Sequence, residues 1–145
     1  MIRSGSTITT EAWDDRYKTN QDWNHAWGAV PANIIPRRLL GVTPAEPGFK
    51  VADIRPQTGS LEWVRGKVPT IRGAISMDVR NADGCYRLTV DIPSGMDADV
   101  SLPIALTSGR SVSHNGDKLA LHVDKNKPFV SLGRFSGGSH CFEVK

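Results

Sequence analysis

Tyr86-Arg87-Leu88-Thr89-Val90-Asp91-Ile92 is the stretch that decides the fold. Apolar residues stand at every second position and polar ones between them, the pattern of a strand with one face on a core. The same period recurs on either side of it. Ile75, Met77 and Val79 share a face upstream, and Val100 and Leu102 follow downstream. Phe49, Val51 and Ile54 open the β region, with Leu61, Trp63 and Val68 after them. Leu119, Leu121 and Val123 alternate beyond an Asn115-Gly116 turn, and 129–132 and 140–144 close the chain. Asp83-Gly84, Pro93-Ser94-Gly95 and Gly137-Gly138 add turn signals. Many short strands without crossover helices predict a mainly β chain, an antiparallel β-sandwich over residues 48–145.

The first 47 residues read differently. Residues 20–40 predict a helix, because Trp23, Trp27, Val30 and Ile34 recur at helical spacing. Thr19 or Asn20 suits the N-cap, Asp22 the positive end of the dipole, and Arg37 and Arg38 the negative end. Gly41 fits the C-cap. Pro31 and Pro36 each remove a backbone donor, so a kink or two consecutive short helices is expected. Thr43 to Gly48, with Pro44 and Pro47, reads as a linker. The helix is too apolar to stand alone, and the rest of the chain offers no partner helix. Its apolar stripe is expected to find another partner, to fold back on the sandwich or to pair with a second copy of the chain.

Composition narrows the function classes. Hydrophobic residues make up 39% and charged residues 23%, which is ordinary for a globular chain. The net charge is +3, with five basic and five acidic residues over 1–47 and thirteen against ten over 48–145. The excess is spread thinly, so no nucleic-acid partner is expected. No apolar run approaches the ~18–20 residues of a membrane helix. The residues after Met1 lack the apolar core of a secretory signal. Cys85 and Cys141 have no metal spacing; a bridge is conceivable, and two free thiols are the expected state. No calcium loop is present and no cofactor is implied.

Chemistry concentrates in residues 7–28, TITTEAWDDRYKTNQDWNHAWG. Glu11, Asp14, Asp15 and Asp22 stand among His25, Asn20, Asn24 and three tryptophans. Carbohydrate sites use this mix: flat aromatics stack on a pyranose, short polar groups hold its hydroxyls, and a carboxylate acts as acid or base. The same residues also suit plainer roles, with Trp23 and Trp27 as core, and Asp14 and Asp15 as a solvated or capping pair.

Three motifs go further. Thr9-Thr10-Glu11-Ala12-Trp13-Asp14-Asp15, then Asp22-Trp23-Asn24-His25-Ala26-Trp27-Gly28, then PRRLLGV at 36–42 lead into PAEPGFK at 44–50. Together with DIRPQ at 53–57 and LEWVRGKVPTIRG at 61–73, they resemble the C-terminal portion of the bacterial α-L-rhamnosidase family. The resemblance covers residues 7–80; beyond it only the strand pattern agrees.

The resemblance implies that 1–47 end a catalytic (α/α)₆ barrel, with the loop carrying Glu11 and the last helix, and that 48–145 form a C-terminal β-sandwich. It implies an inverting hydrolysis of terminal α-L-rhamnose from glycans or glycosides. Such enzymes place two carboxyls roughly 6.5–9.5 Å apart, one protonating the leaving oxygen and one activating water. Glu11 matches the general base, Trp13 a wall of the sugar pocket, and Asn24 and His25 an Asn-His pair that holds the sugar. Thr10 stands where the family has an aromatic, so that wall differs here. Asp14 is expected to orient the loop.

The family's general acid lies upstream, in the barrel, and no aspartate here matches it. The implied partners are therefore a rhamnose-containing glycan and the upstream barrel, and the chain alone is expected to be inactive. Location stays open, the parent enzyme being periplasmic or secreted if exported. The alternative is a stand-alone carbohydrate-binding or structural β-sandwich module. Against it, residues 81–145 offer only Tyr86, Phe129, Phe135 and Phe142 as aromatics, and Tyr86 and Phe142 read as inward-facing.

Overall fold

The computed structural model describes residues 10–145 apart from Asp14, Asp15, Gln21, Trp23 and Asn24, and Trp27 by its backbone alone. The chain forms two compact units, residues 1–35 and 36–145.

Strand parity builds the second unit. β5 (Cys85–Pro103) is one long strand whose even-numbered residues from Tyr86 to Ile92 and from Met96 to Leu102 are buried. β8 (Phe129–Val144) runs antiparallel along its whole length, from Tyr86↔Val144 to Pro103↔Phe129. The first half of β5 continues into β4 (Gly73–Ala82) and β3 (Trp63–Thr70), both antiparallel. Its second half pairs with β2 (Val51–Ile54), which pairs with β1 (Val42–Pro44). The β2–β5 pair is parallel, the one departure from the antiparallel pattern among the described strand pairs. β6 (Val112–His114) extends the β8 side and carries β7 (Asp117–Lys118).

Both strand groups share one core. Ile75, Met77 and Val79 of β4 lie in the same buried cluster as Ala52 and Ile54 of β2. This is the expected sandwich, made by two bent strands that serve both layers. The bend falls where turns were expected. Between Ile92 and Asp97 the register shifts, and Pro93-Ser94-Gly95 and Gly137-Gly138 sit inside continuous strands instead of ending them. The strands touch here: a Cβ on Gly137 would lie 2.7 Å from the Pro93 carbonyl oxygen and 2.8 Å from Ser94 Cα. Only glycine permits that approach.

Other turns form as read. Asp83 and Gly84 (φ 52° and 71°) close the β4–β5 hairpin, and Asn115 and Gly116 (φ 50° and 95°) the β6–β7 hairpin. These left-handed pairs match the strand twist. Asn115 also bonds across to β8, its Oδ1 accepting from the Cys141 N–H at 2.8 Å. The strand expected over 119–123 does not form. Leu119 and Leu121 still pack on the core as irregular chain, while Val123 is exposed. Ile71 lies on the exposed tip of the β3–β4 hairpin.

Cys85 and Cys141 are free thiols. Cys141 pairs in register with Thr89, four residues along β5 from Cys85. That offset is about 13 Å, beyond the ~7 Å Cα limit of a disulfide.

The helical segment is shorter than expected. It runs from Ala26 to Leu39 as a 3₁₀ turn, α1 (Val30–Ile34) and a π turn (Ile35–Leu39). Pro31 and Pro36 break the hydrogen-bond ladder, which accounts for the succession of short pieces. Thr19 and Asn20 lie in a turn, and among the described residues Ala29 is the cap of α1, without a side-chain bond. Arg37 and Arg38 occupy the last turn, as expected. Val30, Ile34 and Ile35 are half exposed. Trp23 lies outside the described residues. Gly41 adopts φ 71° just past the helical end, and its carbonyl accepts from the Arg55 N–H at 2.9 Å.

Candidate active site

Two backbone-linked positions shape the site in the first unit. The Glu11 N–H donates to the Asp22 carbonyl at 3.0 Å, and the Asp22 N–H donates to Glu11 Oε2 at 2.9 Å. This clip brings the two expected motifs together, although ten residues separate them. Thr10 Oγ1 donates to the Ala12 carbonyl at 2.7 Å and tightens the turn that carries Glu11.

The Glu11 side chain is only 5% exposed. Lys18 Nζ donates to its Oε1, and His25 Nε2 stands 3.8 Å from the same oxygen. The hydrogen bond from Lys18, then that from the Asp22 N–H, holds the carboxyl below the usual range against the opposing effect of burial. Glu11 is therefore a carboxylate at neutral pH. That state can accept a proton from water and cannot donate one, so the geometry suits a base and not an acid. Each carboxylate oxygen has two acceptor positions, which leaves capacity for a water beside Lys18 and the Asp22 N–H.

Among the described residues, ligand atoms of Glu11, Asp22 and His25 lie within 4.8 Å of one another. A cation there would compete with the Lys18 ammonium that already balances Glu11. Trp13 is 94% exposed, with its ring in solvent. Asn24, Asp14 and Asp15 lie outside the described residues. Lys18 was not foreseen from the sequence; its only signal is a cation seven positions beyond Glu11.

The fold and this segment define a class: a β-sandwich domain preceded by a short helical segment and, ahead of that, a bend that holds an ionised glutamate with its side chain largely shielded. Comparison with known proteins narrows it. A family model described as bacterial alpha-L-rhamnosidase C-terminal domain matches residues 41–117, more than half of the chain. The chain belongs to this family. An Alteromonas sp. (strain LOR) protein named alpha-L-rhamnosidase is 28% identical over 153 residues, which cover 99% of this chain and 15% of that protein. The alpha-L-rhamnosidase of Dictyoglumus thermophilum superposes with a TM-score of 0.84 at 20% identity, over 100% of this chain and 17% of its own. The Streptomyces avermitilis enzyme, solved in complex with L-rhamnose, gives 0.74 at 25% identity, over 99% and 14%. The chain thus spans about a sixth of these relatives.

Proposed function

We propose that this chain is the C-terminal part of an inverting glycoside hydrolase that removes terminal α-L-rhamnose from glycans or glycosides. Glu11 is its general base, activating the water that attacks the anomeric carbon. The observation that carries this reading is the ionised Glu11 carboxylate, shielded from solvent and held by Lys18 and the Asp22 N–H. His25, beside the same oxygen, hydrogen-bonds a sugar hydroxyl, Asn24 assists, and Trp13 offers an open ring face for the pyranose. Residues 1–47 complete the catalytic barrel, and the sandwich supports it.

The general acid comes from the barrel portion, so the 145-residue chain alone does not turn over. Purified chain should release no nitrophenol from an aryl α-L-rhamnoside; release abolished by Glu11→Gln would refute the division of labour. In the polypeptide carrying the barrel, Glu11→Gln should lower kcat by on the order of 10²–10⁴. NMR of the first-formed sugar should show inverted anomeric configuration. Unchanged kcat in that variant would remove Glu11 from the mechanism.

A further inference from the structure

The solvent face of the β3–β4–β5 sheet holds a shallow cleft of about 660 Å³, lined in part by Arg65, Lys67, Asp78, Arg80, Arg87 and Asp91. This is the size of a small-ligand site. Register puts Trp63, Arg80, Arg87 and Glu143 in one cross-strand row, and Arg65, Asp78 and Thr89 in the next. The first row spans three strand spacings, about 14 Å, longer than one pyranose ring. Trp63 stands at its edge, 60% exposed, with the Arg80 guanidinium 5.8 Å from the ring centre.

The cations on this face outnumber their partners. Asp78 is shared by Arg65 at 2.6 Å and Arg80 at 2.9 Å. Glu143 is shared by Arg87 at 2.5 Å and Lys145 at 2.9 Å. Each carboxylate thus carries two cations, leaving one positive charge over in each group. Arg87 spends only Nε and Nη2 on Glu143, and a guanidinium has five N–H donors, so some remain for a ligand. The side chains of Arg65, Arg80 and Arg87 are all more than half exposed.

We infer that this face binds an acidic oligosaccharide, with Trp63 stacking on the apolar face of one ring and the arginines receiving carboxylates of neighbouring uronate residues. An exposed indole suits a pyranose face, and a guanidinium fork matches a carboxylate. The choice of a sugar over another anion rests on the glycosidase reading; the cation excess and the exposed ring do not. The scarcity of aromatics beyond residue 81 does not weigh against this site, because its aromatic is Trp63.

Calorimetric titration of the 145-residue chain tests it, with an oligogalacturonate, a neutral oligogalactan and an oligoglutamate of matched charge as probes. The oligogalacturonate should bind, and more weakly as salt rises. Trp63→Ala should weaken it about tenfold without lowering the melting temperature. No binding, equal binding of oligoglutamate, or undiminished binding by Trp63→Ala would overturn the inference. Should Trp63→Ala fail to fold, the double variant Arg80→Gln/Arg87→Gln decides by the same loss. The assay involves no catalysis. Binding without a kinetic role for Glu11 would remove the proposed function alone, and the reverse would remove only this site.

Discussion

Alkaline pH should weaken this domain through one side chain in particular. Tyr86 is the first inward residue of β5 and fully buried. Burial pushes its phenol from 10.0 up to about 12, against a smaller opposing effect of nearby Thr58, and the hydroxyl has no hydrogen-bond partner. In the unfolded chain the phenol ionises near 10, so above that pH the unfolded state has lost a proton that the folded state retains. Stability is then fully present below pH ~10 and declines as pH rises toward ~12. At about 1.36 kcal/mol for each pH step, the gap amounts to about 2.7 kcal/mol. Urea unfolding from pH ~9 to ~12 measures it, with Tyr86→Phe as reference, since lysines titrate in both proteins. The parent should lose stability relative to the variant as pH rises, by up to about 2.7 kcal/mol. Tyr17 is the other tyrosine. Absorbance titration in a Tyr17→Phe background follows Tyr86 alone and should give a late, unfolding-coupled transition. Parallel stability curves for parent and Tyr86→Phe would refute the reasoning.

Gly41→Ala should cost about 4 kcal/mol or more, read as a loss of chemical-denaturation midpoint. A Cβ there would meet the Arg55 carbonyl oxygen at 1.9 Å, a backbone atom that cannot rotate away, and φ is 71°. The exposed apolar residues Val30, Ile34 and Ile35 should make the isolated chain self-associate. Sedimentation velocity should show the average mass rising with concentration and Ile34→Lys/Ile35→Lys reversing it; a monomer at all concentrations refutes this.

The inward residues of β4 and β5 were legible because strand parity is local: Ile75, Met77, Val79 and Tyr86 to Ile92 needed only a period of two. The Asp83-Gly84 and Asn115-Gly116 turns were legible for the same reason, since left-handed φ is a property of the residues themselves. Glu11 and His25 could be singled out by motif, though the Lys18 and Asp22 contacts of Glu11 could not. Pro93-Ser94-Gly95 and Gly137-Gly138 carry the same local signal as a true turn. They became bends because two long strands pack against each other there, and no local pattern encodes that contact. Leu119 to Val123 alternates like a strand, yet after the Leu119 N–H bond to the Val112 carbonyl at 2.8 Å it does not continue as a ladder. The ionised state of Glu11 depends on Lys18 and the Asp22 N–H, and the phenol of Tyr86 on complete burial. Sequence by itself determined which residues prefer to face inward and where the backbone can reverse. Tertiary structure alone decided pairing, bends and charge states, because these depend on what comes close in space and on how much water is left.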